Sequence, residues 1–231
     1  MRKLSAKCFP KCLNADQKLH RCQSSEQLLE FFWRDSNDFL SRLLTIDETW
    51  LYHYDPKTKQ QSLEWRHNGS LRPKKFRVQK SVGKVLASIF WDQDGILLID
   101  YLPKGPTINA EYYSSLLMQL KNILKEKRRG KITKGILFLH DNDPAHRALG
   151  TQKKLAYLGF QCLDHPLYSP DLAPSDYYLF PGLKKKQLKV HHFSSDAEVI
   201  VAAETWLDAQ HSDFFLTGLQ RAKKCIELRG E

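Results

Sequence analysis

The chain predicts an α/β domain, a mixed sheet with helices packed on its faces. Three observations lead there. Short strand-like runs alternate with helical patterns along the sequence, ending in a block of helices. Apolar residues make up 42% of the 231 positions, enough for a packed core. The length fits one large domain.

Asn14 to about Arg34 reads as a helix, with Asn14 and Gln17 as a capping pair and Leu19, Cys22, Leu29 and Phe32 as its apolar stripe. A short helical piece, Asn37 to Leu40, leads into a first strand from Leu43 to Tyr54, which Asp55-Pro56 ends. A basic, turn-rich stretch from His67 to Lys80 follows. Gly83–Trp91 and Ile96–Leu102 form a hairpin through Asp92-Gln93-Asp94-Gly95. Asn109 caps a helix running to about Arg129, with Tyr112, Leu116, Leu120, Ile123 and Leu124 at helical spacing, a basic last turn and Gly130 as its stop. Ile136–His140 is a buried strand, Pro144–Leu158 a helix, and Phe160–Leu163 another strand. After the proline-punctuated loop His165–Pro174 come three helices, Ser175–Leu188, Asp196–Gln210 and Asp213–Leu228, the second opened by a Ser195/Glu198 capping box. Residues 1–41 form a helical lead-in and residues 42–231 the main domain.

Lysine and arginine total 36 against 26 acidic residues, a net charge of +10. Such an excess favours a polyanionic partner. No apolar run approaches the roughly 20 residues that span a bilayer, and no membrane role is expected. Five scattered cysteines without a C-x-x-C pair argue against a zinc cage or a disulfide framework.

Three carboxylates stand at critical points of these elements. Asp47 interrupts an apolar strand, Asp141 ends the strand Ile136–His140, and Asp176 opens a helix. A carboxylate in a core strand is unfavourable unless it is paired or binds a metal. Hard oxygen ligands from two adjacent strands and a helix suit Mg²⁺. Two such ions about 3.5–4 Å apart serve phosphodiester chemistry.

The motifs around them resemble a known family. His140-Asp141-Asn142-Asp143-Pro144-Ala145-His146 is similar to the H-D-N-x-P-x-H element of mariner-type transposases. Tyr168-Ser169-Pro170-Asp171-Leu172-Ala173-Pro174-Ser175-Asp176-Tyr177-Tyr178-Leu179-Phe180 resembles their Y-S-P-D-L-A-P-S-D-Y-x-L-F element. Asp141 and Asp176 are separated by 34 residues, the spacing that marks this family. The likeness extends over nearly the whole chain from Leu4. It implies an RNase H-like fold of the retroviral integrase type, with a five-stranded mixed sheet and helices on both faces. It implies metal-dependent DNA cleavage and strand transfer, with Mg²⁺ or Mn²⁺, two ions, held by Asp47, Asp141 and Asp176. Asn142 and His146 are implied as supports of the site or DNA contacts. DNA is the implied partner and the nucleus the implied location.

The family also carries two helix-turn-helix modules ahead of this region, and this chain is expected to lack them. Its W-V-P-x-x-L linker, which clamps two subunits together, corresponds here to Cys8-Phe9-Pro10-Lys11-Cys12-Leu13, so a homodimer weakened at that clamp is expected. These departures, with Asp143 beside the site, motivate a second reading: a catalytically impaired, co-opted or relic domain that binds DNA non-specifically or serves as an interaction module.

Arg72, Lys74, Lys75 and Arg77, with Lys184 and Lys185, are the candidates for DNA-backbone contact, and Lys121 to Lys134 is a further basic run. Glu48 points to the opposite face of its strand from Asp47 and reads as solvated or structural. Asp171 reads as a turn former and Asp143 as a helix cap. His191-His192 reads as surface or structural, and Phe31-Phe32-Trp33 as core.

Overall fold

The computed structural model describes residues 13–53, 83–102, 104–167, 169–189 and 191–227. The linker motif from Cys8 to Cys12 and the basic candidates Arg72, Lys74, Lys75 and Arg77 lie outside them. Helix α1 (Ala15–Arg34) starts at the anticipated capping box: Gln17 N–H donates to Asn14 Oδ1 at 2.8 Å, and Asn14 N–H to Gln17 Oε1 at 3.0 Å. Asp35 caps α2 (Ser36–Arg42), which runs directly into β1 (Leu43–Tyr52).

Five strands form one sheet in the order β3-β2-β1-β4-β5. β2 (Lys84–Asp92) and β3 (Gly95–Leu102) form the expected hairpin, antiparallel to each other and to β1. Gly95, at φ 139°, supplies the positive φ the turn requires, and Asp92 Oδ1 accepts its N–H at 3.2 Å and that of Asp94 at 2.9 Å. β4 (Ile136–Leu139) runs parallel to β1, and β5 (Phe160–Cys162) parallel to β4.

The pleat divides the core in two. On one face Leu43, Leu51, Ile89 and Trp91 pack with Leu28, Leu29 and Phe32 of α1, with α2, and with the C-terminal helices α7 (Phe180–Leu183), α8 (Asp196–Asp208) and α9 (Ser212–Glu227). On the other, Leu44, Ile46, Phe90 and Phe138 pack against Tyr113, Leu117, Leu120 and Leu124 of α3 (Ala110–Lys127) and Leu155 of α6 (Leu149–Leu158). Mixed pairing and helices on both faces are the architecture expected.

Several boundaries differ from expectation. Gly130 does not stop α3. The break falls at Arg128, and α4 (Arg129–Lys134) follows, ended by Gly135 at φ 84°. Fully buried Asp92 explains it: Arg128 Nε lies 3.4 Å and Lys131 Nζ 2.9 Å from Asp92 Oδ2, so both turn inward. The expected helix Pro144–Leu158 is two, α5 (Pro144–Arg147) and α6, parted at Ala148. Thr151 Oγ1 and Gln152 Nε2 donate to the carbonyls of Ala145 and His146 that the break leaves open. Ser175–Leu188 is helical but underwound to the wider π form over Ser175–Leu179 and Lys184–Leu188, on either side of α7. At α8 the box is displaced: Ser195 Oγ accepts from Glu198 N–H, while Glu198 reaches back to Ser194. Trp33 is 67% exposed, so the aromatic run places only Phe32 in the core, with Phe31 partly buried against it.

Candidate active site

Parallel pairing of β1 with β4 sets the site. Thr45 faces Leu139 in register, so continuing both strands by two residues brings Asp47 level with Asp141. Asp141 lies just beyond the end of β4, in the extended segment before α5. Asp176 enters from the opening π-helical segment, a form often found at functional positions. That segment is anchored by the buried indole of Trp91, whose Nε1–H donates to Ser175 Oγ at 2.9 Å.

Asp47, Asp141 and Asp176 line one cavity of about 320 Å³ with Asn142, Asp143, His165, Pro166, Leu167, Ser169, Pro170 and Ala173. Burial, then the charges of Asp176, Glu48 and Asp141, push the Asp47 carboxyl well above the usual carboxylate range, against a hydrogen bond from Glu48 N–H. Burial also raises Asp176, which the Lys184 ammonium partly offsets and Asp141 reinforces. Asp141 differs. Burial pushes it up, but a hydrogen bond and charge from His146, then Asp143 N–H, outweigh this and hold it below its ordinary value. Four carboxylates, Asp143 included, with one ammonium nearby form a cavity that repels its own charges. Its hard oxygen donors fit a divalent cation such as Mg²⁺ or Mn²⁺, whose binding would relieve that repulsion.

Behind Asp141, on the α3 face of the sheet, His146 is almost fully buried. Its Nδ1 lies 2.6 Å from Asp141 Oδ1 and its Nε2 3.3 Å from Glu48 Oε1, an ion-pair contact rather than an aligned hydrogen bond. The ligating atoms of Glu48, Asp141 and His146 all lie within 4.8 Å of one another. Burial opposes protonation of His146, yet Asp141 and then Glu48 raise it to about 10. Glu48 does face away from Asp47, as the pleat demands, and is structural rather than solvated. Pairing with His146 explains how a charged group sits there.

Asn142 Nδ2 donates to the His165 carbonyl, tying the Asp141 segment to the loop opposite. Asp143 caps α5 as expected, accepting from Ala145 N–H at 2.8 Å, and also reaches the cavity wall. Asp171 is no mere turn former: its carboxylate is gripped by both terminal nitrogens of Arg21, with Nη1 at 2.8 Å. Sequence reasoning missed His165, whose Nε2 is buried without a hydrogen-bond partner among the described residues. It also missed Arg21, 150 positions from Asp171, for which no local signal exists.

Of the basic candidates, Lys184 comes near enough to influence Asp176, and Lys185 is exposed. The run Lys121–Lys134 is different. Lys131 and Arg128 serve Asp92, Lys134 lies 3.7 Å from Asp38, and Lys121 donates to the Leu158 carbonyl. Its α4 end lies before β4, at the opposite end of that strand from Asp141.

A five-stranded mixed sheet with helices on both faces and acidic residues converging beside the central parallel pair defines an RNase H-like domain of the acidic-triad type. Residues 55–134 match the family described as "Transposase (partial DDE domain)". The chain is 33% identical over 96% of its length to the Mariner Mos1 transposase of Drosophila mauritiana, and 32% identical over 97% to the human histone-lysine N-methyltransferase SETMAR. It spans 64% of the first and 33% of the second. The solved Mos1 catalytic domain aligns at 31% identity with a TM-score of 0.76, covering 96% of this chain and 98% of that one. The Mos1 paired end complex with Mn aligns at 32% and 0.85, covering all of this chain and 67% of that one. The chain belongs to the mariner transposase family and carries its catalytic-domain fold.

Proposed function

We propose that this chain is a metal-dependent DNA-cleaving and strand-transfer domain, with Asp47, Asp141 and Asp176 as its metal ligands. The observation that carries the reading is the convergence of three carboxylates, from three separate elements, on one cavity, where among the described residues His146 offsets Asp141 and Lys184 offsets Asp176. Solved relatives support it: Mos1 is known with Mn, with Mg and as a strand transfer complex.

When bound, one or two Mg²⁺ or Mn²⁺ ions supply activation of an attacking oxygen and stabilisation of the departing 3′-oxygen. The protein's own groups do the positioning. His146, braced by Glu48, holds the Asp141 carboxylate in one orientation. Asn142 keeps the facing loop at a set distance through the His165 carbonyl. Lys184 and Lys185 follow Asp176 on the same helical stretch, Lys184 close enough to act on its charge, and they would meet phosphate oxygens without reading sequence. Arg72, Lys74, Lys75 and Arg77 are proposed to add backbone contacts, and the chain is proposed to act on DNA in the nucleus, as a homodimer weakened at the Cys8–Leu13 linker motif.

The test is incubation of the purified chain with supercoiled plasmid and Mg²⁺ or Mn²⁺. Nicking is expected, and is expected to vanish in Asp141→Asn and Asp176→Ala proteins that still fold. Equal nicking by either variant would refute the ligand assignment.

A further inference from the structure

We propose that α1 is a positioning strut for the wall of the aspartate cavity, acting through Arg21 and Ser24. This rests on the catalytic reading above and identifies what holds that site in shape. His165, Pro166, Leu167, Ser169 and Pro170 all line the cavity, and all lie between two carboxylates that α1 grips. At one end, Ser24 Oγ donates to Asp164 Oδ2, with His20 Nε2 3.4 Å away. At the other, the Arg21 guanidinium forks onto Asp171. Arg21 is 6% exposed, so its charge is answered within the protein. A fork onto a carboxylate fixes direction as well as distance.

One face of a single helix therefore clamps both ends of the wall. The helix is itself fixed, because Leu28, Leu29 and Phe32 are buried in the core. A third point of attachment, from Asn142 Nδ2 to the His165 carbonyl, joins the wall to the Asp141 side. Asp176 is not hung from α1 in this way. It follows Ser175, which Trp91 holds from β2. Release of α1's grip thus shifts the wall against which a DNA backbone must lie, while the three aspartates keep their places. Arg21 and Ser24 are positioning residues: neither lines the cavity, and each acts through the carboxylate it holds.

The experiment compares the wild-type chain with Arg21→Gln, Asp171→Asn, the two combined, and Ser24→Ala. Amide exchange without DNA is measured over residues 164–173 and over β1 and β4, and metal-dependent nicking is measured in parallel. Exchange is expected to quicken in 164–173 alone. The turnover rate is expected to fall by about tenfold or more, as misplacement of a substrate by a fraction of an ångström commonly produces. The metal concentration for half-maximal rate is expected to stay put. The combined Arg21→Gln/Asp171→Asn protein should be no worse than the weaker single variant, because both remove the same contact. Unchanged exchange and turnover would overturn the proposal. So would exchange that rises equally across β1 and β4, since the loss would then be general unfolding. Ser24→Ala, which orphans no charge, decides the matter if the Arg21 variants do not fold. If wild type nicks no DNA, the catalytic reading fails, and the exchange arm still decides whether α1 holds the wall.

Discussion

Lys131→Met separates a cation used inside the fold from one offered to DNA. Asp92 is fully buried, and its Oδ2 meets Lys131 Nζ at 2.9 Å, with Arg128 Nε farther off at 3.4 Å. Lys131 also donates to the Leu43 carbonyl at 3.2 Å, at the junction of α2 and β1. Removing one partner of a buried pair strands the other charge, at a cost of about 3–5 kcal/mol. Arg128 remains beside Asp92, with a side chain 27% exposed, so the lower end of that range applies. For a chain of this size each kcal/mol moves Tm by about 2–4 °C, so a fall of about 6–12 °C is expected. Adding Asp92→Asn removes the stranded charge but keeps an oxygen for the Asp94 and Gly95 N–H groups, and most of the loss should return. Thermal melts of the four proteins give the coupling directly, expected at about 1–3 kcal/mol. The salt dependence of DNA binding should not change, because each lost phosphate contact would alter its log–log slope by about 0.9. A Lys131→Met protein that melts like wild type, or shows a shallower slope, refutes the assignment of Lys131 to the fold.

Three further outcomes follow from the site and its surroundings. Asp47→Asn should raise the Tm of the metal-free protein, since it removes a buried charge crowded by three others, and should abolish the Mn²⁺-induced rise expected of wild type. At a metal concentration of 100 Kd that rise corresponds to about 2.7 kcal/mol, and a variant that keeps it contradicts the ligand role. His146→Ala should fold but lose about 10–100-fold in nicking rate, because Asp141 loses its orienting partner; parallel circular dichroism and nicking assays check both halves. Burial pushes the Cys162 thiol up to about 11, so its alkylation should climb about tenfold per pH unit through the neutral range and lag behind Cys22 at pH 7.5, as mass spectrometry of iodoacetamide-treated protein will read out.

What the sequence disclosed depended on how local each cause was. Asp47, Asp141 and Asp176 could be picked out because each sits in a distinctive run of neighbours, and the strand pleat alone placed Glu48 on the other face. The partner of Glu48 was hidden, because His146 arrives there by way of a parallel crossover. The end of α3 was misplaced for a similar reason. Gly130 is the local stop signal, but the break is imposed at Arg128 by Asp92, which the sheet brings close from 36 positions earlier. Asp171 has every mark of a turn residue, and its turn exists, with Leu172 N–H donating to the Ser169 carbonyl at 3.0 Å. Nothing in the surrounding proline-rich segment records that Arg21 closes on it.

The same distinction sharpens the meaning of the +10 charge. Arg21, Lys131 and Arg128 answer acids within the fold, and Arg42 answers Asp38 while donating to the Gly135 carbonyl. Such pairs cancel and leave the net excess untouched. The aspartate cavity is the exception, for its carboxylates outnumber the cations near them. The remainder of the molecule is correspondingly more basic than the total suggests. A phosphodiester approaching an empty cavity would meet like charge, whereas the net positive charge of the chain would attract the same strand at longer range. Two divalent ions in that cavity would balance its four aspartates, with Lys184 beside them, and remove the repulsion at the reacting phosphate alone. Metal and DNA should therefore bind with positive coupling, each raising the affinity of the other by the same factor. On the proposed reading, the acidic centre would keep the scissile phosphate out of register until the metal is in place, while the chain's basic excess would hold the rest of the strand.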